Sequence, residues 1–187
     1  MLTHLVGNVS WNSNRWLKPA PPGERARSGF RNIREGWEGN ESWNFDPARH
    51  LSGGVKYGSF EGAHRVKSFS NGRGIVFFWS RAPRANVFVG CYVMPTILAE
   101  PKALPEARDN EFNLTVPTEP KGLICPFRVH IECVAGEHLR HGDAVKKHPG
   151  QCGYCYIDDR SAGAILAAAW AAHPCDAVRA IRDLYQF

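Results

Sequence analysis

The stretch from Arg73 to Met94, RGIVFFWSRAPRANVFVGCYVM, restricts most what this chain can become. Gly74 to Arg81 is an apolar, aromatic run between turn residues, Ala82 to Asn86 is a short basic turn holding Pro83, and Val87 to Met94 is a second such run. Val, Ile, Phe and Tyr pack well on a pleated surface, so the stretch predicts two antiparallel strands joined by a loop. In the first strand, alternation sets Val76, Phe78 and Ser80 on one face and Ile75, Phe77 and Trp79 on the other. Neither row is simply a solvated one, so both faces are expected to be covered. Such a hairpin belongs near the centre of a curved sheet or small barrel.

The rest of the chain supplies the neighbours. Leu2 to Ser10, Val55 to Phe60, Phe127 to Val134 and Tyr154 to Ile157 read as further strands. In Phe127 to Val134, the apolar Phe127, Val129, Ile131 and Cys133 alternate with Arg128, His130 and Glu132, which predicts one buried and one wet face. Ala99 to Gly122 carries Pro101, Pro105, Pro117 and Pro120 among charges and is expected to run over the surface as a loop. Asp158 or Asp159 can cap a helix over Ala162 to Ala172, because a carboxylate accepts from free amides of the first turn. Pro174 ends that helix, and Asp176 to Leu184 predicts a second one burying Val178, Ile181 and Leu184. The expected organisation is one domain over residues 1–187, with a β-rich core over 1–157 and a helical segment over 158–187.

A change of composition between Trp11 and Asp46 marks the expected site. Four of the six tryptophans, Trp11, Trp16, Trp37 and Trp43, fall there. So does the basic cluster Arg25, Arg27, Arg31 and Arg34, while Pro19, Pro21, Pro22 and Gly23 argue against a helix in the first half. Long aromatic loops inside compact domains are uncommon and usually functional. Some of these rings are expected to plug the end of the sheet, and others to face a ligand. A base in an aromatic cage gains about 1–3 kcal/mol per stacked base, and a buried methyl group adds roughly 0.8 kcal/mol. Trp11, Trp16, Trp43 and Phe45 as walls, with Asn12, Asn14 and Asn44 beside them for hydrogen bonds, fit that need. Arg25, Arg27, Arg31, Arg34, Arg81 and Arg84 are the candidate phosphate contacts, and the net charge of +5 favours an anionic partner.

Other chemistries find less support in the residues. The chain has no phosphate-cradling Gly-x-x-x-x-Gly-Lys loop, no Gly-x-Ser-x-Gly elbow and no His-Glu-x-x-His helix, so no enzyme is predicted. Cys152 and Cys155 form one C-x-x-C pair near His138, His141 and His148, the residue types of a tetrahedral zinc site. A single tight pair is a weak signal, and plain thiols are expected in its place, with no cofactor. A zinc-containing hydrolase or nuclease built on the His138 to Cys155 cluster is the enzyme alternative, and a tryptophan-rich protein-interaction module is another. No apolar run reaches the roughly 20 residues of a membrane span and no signal peptide precedes the first strand, so a cytoplasmic protein with thiol cysteines is expected.

Gly74, Ile75, Val76, Phe77, Phe78, Trp79 and Ser80, followed by Val89, Gly90 and Val93, resemble the core of the PUA-like superfold, in particular EVE domains and their YTH relatives. Gly150 to Leu166, GQCGYCYIDDRSAGAIL, is similar to the tail of EVE-like modules fused to bacterial restriction nucleases. The resemblance implies an α+β fold, a curved five- or six-stranded mixed β-barrel or sheet with peripheral helices and two C-terminal helices. It also implies a nucleic-acid reader that takes a flipped, methylated or hydroxymethylated base, with Trp79 and Ser80 at the pocket mouth. Through the resemblance alone, DNA is favoured over RNA, and the module would be the recognition part of a modification-dependent restriction system, with a cleavage domain fused or associated.

Overall fold

The computed structural model describes residues 2–27, 31–35, 40–83, 85–104, 111–118, 123–130 and 153–187. Its centre is the expected hairpin, β4 (Ile75–Arg81) and β5 (Asn86–Val93), paired antiparallel. β4 also runs parallel to β1 (His4–Asn8), which pairs antiparallel with β9 (Tyr154–Ile157), while β5 pairs antiparallel with β8 (Ile124–His130). The result is a five-stranded mixed sheet in the order β8-β5-β4-β1-β9. Every residue from Ile75 to Ser80 is buried, because both faces of this sheet are covered.

A second, four-stranded sheet has the order β2-β3-β7-β6, built from β2 (Leu51–Ser52), β3 (Val55–Gly58), β6 (Thr96–Ala103) and β7 (Glu111–Pro117). This corrects two expectations. The strands form two sheets and not a closed barrel. Where it is described, the proline-rich segment starting at Ala99 is strand and not loop, contributing the exposed second half of β6 and all of β7. β6 is an edge strand, where a missing ladder donor is tolerated, and Pro101 falls where its register against β7 shifts between Ile97 and Lys102. Pro117 closes β7 at its end. Tyr57, Leu104 and Phe112 form a small core of their own on this sheet.

The two faces of the first sheet carry different coverings. α3 (Asp159–Ala172) packs on β8 and buries Ile165, Leu166 and Ala169, and α4 (Asp176–Tyr185) buries Val178 and Ile181 but leaves Leu184, expected in the same stripe, exposed. Of the two aspartates the sequence offers as a cap, Asp158 takes the role by accepting from the Ser161 amide at 2.8 Å. The opposite face is covered by the segment after β1, by the 3₁₀ turn Asn40–Trp43 with Phe45, and by the end of β3. That segment also holds α1 (Pro22–Arg25) and α2 (Arg31–Arg34). α1 corrects the expectation that prolines exclude a helix there, because Pro22 stands in its first turn, where no amide donor is needed. Among the described residues no helix is long and apolar enough to cross a membrane.

Candidate functional site

Strand alternation sorts the hairpin side chains between these coverings. Phe78 meets Phe45 and Tyr92, so the row Val76, Phe78 and Ser80 faces the aromatic loop. The row Ile75, Phe77 and Trp79 faces the helices. It is flanked on β1 by His4, whose ring lies edge-on to Tyr185 at 5.7 Å. Register then places Gly90 and Pro126 level with Phe78 on the loop face, and Phe88 and Val129 level with Trp79 on the helix face.

On the loop face the aromatic rings form a column that runs from the core to the surface. Tyr92 and Phe78 lie 4.8 Å apart, Phe45 stands on Phe78 at 5.6 Å, Trp16 on Phe45 at 6.3 Å, and Trp11 on Trp16 at 5.9 Å. All four contacts are edge-to-face, the arrangement that the ring quadrupole favours. Gly90 makes room for the column. A Cβ there would stand 2.5 Å from Phe45 Cζ and 2.6 Å from the Cys125 carbonyl oxygen, and its φ of +149° is one that side-chain-bearing residues avoid. At the outer end, the Arg128 guanidinium lies 5.2 Å from the centroid of the half-buried Trp11 ring. Arg128 is on the wet face that alternation predicts for β8, yet nothing in the sequence links it to Trp11.

The loop is held by its own polar side chains. Asn12 donates to the Lys18 carbonyl at 2.7 Å and accepts from the Asn14 amide at 2.8 Å, and Asn14 donates to the Pro19 carbonyl. Trp16, at a left-handed φ of 56°, donates its indole N–H to the Ser10 carbonyl. Ser10 donates to Glu41 at 2.7 Å. Asn44 exchanges two hydrogen bonds with the Ser59 backbone, and Tyr92 donates its hydroxyl to the Asn44 carbonyl. Burial pushes the Tyr92 phenol pKa well up, so it remains a donor. Asn12, Asn14 and Asn44 therefore shape the loop with the amides that were expected to meet a base.

Two of the expected walls stand elsewhere. Trp79 is buried on the helix face, across the sheet from Trp16. Trp43 turns toward the second sheet, edge-on to His50 at 6.4 Å with the Arg49 guanidinium 4.5 Å above it. Its carbonyl and that of Arg49 accept from the Lys56 amine at 3.0 and 2.9 Å. Lys56 is 0% exposed, and burial pushes its pKa down to about 8 against the opposing pull of Asp46.

The structure thus gathers Trp11, Trp16, Phe45 and Ser80 on one face, with Trp79 on the other. Ser80 is 0% exposed and its hydroxyl has no hydrogen-bond partner among the described residues, and the same holds for the Trp79 indole N–H. Glu24 of α1 accepts from the Ser13 amide at 3.0 Å, which brings Arg25 and the exposed Arg27 beside the loop. Arg34 and Arg81 are exposed, whereas the Arg31 side chain, Arg84 and Trp37 lie outside the described residues. Cys152, His138, His141 and His148 also lie outside them. Cys155 is a half-buried residue of β9 whose thiol pKa is pushed up to about 12 by burial, against a backbone hydrogen bond at Val6. Among the described residues no group of three or more His, Cys, Asp or Glu is placed to hold a metal ion. Comparison with protein-family profiles, with curated proteins and with solved structures finds no match to this chain.

Proposed function

We propose that the chain is a PUA-like, EVE/YTH-type nucleic-acid reader that stacks a flipped, modified base of DNA on Trp11. The observation that carries this reading is the outer end of the aromatic column. A half-buried indole lies under the Arg128 guanidinium and stands on the buried rings of Trp16 and Phe45. A guanidinium occupies an aromatic face much as a base would, and it also pairs with phosphate. On binding, Arg128 moves off the ring to a phosphate, and the base takes its place on the indole. Arg25, Arg27 and Arg81 supply further phosphate contacts. The Ser80 hydroxyl lies on the same face without a partner among the described residues, but it is fully buried and does not meet a base stacked on the outer face of Trp11. In a restriction system such a module recognises the modification, and a cleavage domain acts beside it.

The test is a binding panel of duplexes carrying 5-methylcytosine, 5-hydroxymethylcytosine, N6-methyladenine or no modification, read by tryptophan fluorescence. One modified duplex is expected to bind best and to quench the emission, and the quenching is expected to be lost in Trp11→Ala. Equal binding of all duplexes leaves a nucleic-acid binder but removes base reading, and absence of binding removes both.

A further inference from the structure

Two costly features meet on the second sheet, away from the aromatic column. Lys56 of β3 carries its amine into the interior, where it donates to the carbonyls of Trp43 and Arg49 at 3.0 and 2.9 Å. Taking an amine out of water is expensive, and it is repaid here by backbone acceptors alone. His50, next in sequence to Arg49, takes a left-handed φ of 56°, a conformation that side-chain-bearing residues seldom adopt. Its ring lies 4.4 Å from the buried Phe112 ring and edge-on to Trp43 at 6.4 Å. The Trp43 carbonyl also accepts from the Asp46 amide at 3.1 Å, which tightens the turn between the two stapled carbonyls.

Both features fix the same two side chains. The exposed Arg49 places its guanidinium 4.5 Å from the centroid of the half-buried Trp43 ring, and one amine holds the carbonyls of both residues. For packing alone an apolar side chain would do at position 56. What the amine adds is a fixed spacing of Trp43 and Arg49, and His50 on Phe112 supports the indole at its edge. Buried charge and unusual backbone concentrate where a site must be held ready.

We propose that Trp43 and Arg49 form a second site, separate from Trp11, that binds a nucleotide, with the base stacked on the indole and its phosphate held by the guanidinium. A guanidinium is a planar cation that occupies an indole face as a base would. As the nucleotide enters, Arg49 slides off the ring and makes two parallel hydrogen bonds to phosphate oxygens, and the base takes the vacated face. Because Lys56 fixes both backbone segments beforehand, little ordering remains to be done on binding. A free mononucleotide and an unpaired nucleotide of a strand offer the same chemistry. The site requires no contact at Trp11, which touches Trp16 and Arg128 instead.

The experiment irradiates the full chain with 5-iodo-2′-deoxyuridine 5′-monophosphate and, separately, with a single-stranded oligonucleotide holding one 5-iodouracil. Adducts are mapped by mass spectrometry, and dissociation constants of both probes are measured by calorimetry. An adduct on Trp43 is expected, and it is expected to persist in Trp11→Ala. Formation with the mononucleotide assigns the site to free nucleotides, and formation with the oligonucleotide alone assigns it to a strand. Arg49→Gln, a change at an exposed position, is expected to weaken binding at this site about tenfold and to reduce the Trp43 adduct accordingly. A Trp43 adduct that survives in Trp11→Ala upholds this site even where base reading at Trp11 fails. Adducts confined to Trp11, no adduct on Trp43 with either probe, or an Arg49→Gln protein that binds and cross-links as the wild type does overturn the proposal.

Discussion

His4 is fully buried in β1, and its two ring nitrogens have opposite roles. Nδ1 accepts from the Ile75 amide at 3.0 Å, so the proton resides on Nε2 and is donated to Asp159 at 2.9 Å. Taking up a second proton would set Nδ1–H against the Ile75 N–H. Burial lowers the His4 pKa below 6.5, and the Asp159 hydrogen bond and charge only partly oppose it. As pH falls past the unfolded value, the unfolded chain binds more protons than the folded one. The stability from a neutral His4 is therefore fully present above pH 6.5 and is lost as pH drops toward the lowered folded value. The urea midpoint is expected to be lower at about pH 5.5 than at about pH 7.5, with a smaller difference in His4→Gln; an equal difference in the variant would assign the effect to other groups.

The tryptophans separate in the same way by what they touch. Trp16 is a core residue, so Trp16→Ala is expected to cost about 3–5 kcal/mol of stability. Trp11→Ala, at a half-buried ring, should cost on the order of 1 kcal/mol of stability but about 1–3 kcal/mol of oligonucleotide affinity. Ser80→Ala removes a fully buried hydroxyl without a partner among the described residues, so stability should hold or rise by about 1 kcal/mol while affinity stays unchanged. Calorimetry and binding on the same three proteins check this, and an affinity loss in a fully folded Ser80→Ala would show that the base reaches into the sheet.

The irregularity in β5 is what lets the hairpin support the column. Phe78 pairs with Gly90 but Trp79 pairs with Phe88, so Val89 is an extra residue and the strand bends there. The bend and the missing side chain at Gly90 together admit Phe45 against Phe78. Gly90→Ala combines a strained backbone with a clash against Phe45 and the Cys125 carbonyl. It is expected to lower stability by about 3 kcal/mol or more, read from the denaturation midpoint. A variant as stable as the wild type would show that Phe45 does not seat on β5 in this way. The edge strand β6 illustrates the opposite tolerance, since Pro101 there interrupts a register without ending a sheet.

Across the molecule, α1, the end of β4 and β8 carry the basic side chains Arg25, Arg81 and Arg128, the last of them on the outer ring of the column. If Arg25, Arg27, Arg81 and Arg128 meet phosphates, several counterions are released on binding, and affinity falls steeply with salt. A fall of at least about tenfold between roughly 50 and 200 mM salt is expected, and a charge-removing Arg128→Gln should flatten the slope. Affinity independent of salt would leave the aromatic column without its proposed partner.

The central hairpin, the capped helix after Asp158 and the final helix were legible in the sequence because each follows from local chemistry. Apolar alternation shows a strand, and a carboxylate ahead of an alanine-rich stripe starts a helix. The expectation of aromatic walls between residues 11 and 46 was legible too, as a composition without a geometry. Only the tertiary structure decided which walls stand together. Trp16 and Trp79 are divided by the faces of one sheet, Asn12 and Asn44 are engaged by backbone groups, and Arg128 reaches Trp11 from a strand distant in sequence. The four-stranded sheet was missed for the same reason. Its strands β3 and β7 pair across a long separation, and prolines that read locally as loop signals are acceptable at an edge that only the assembled sheet defines.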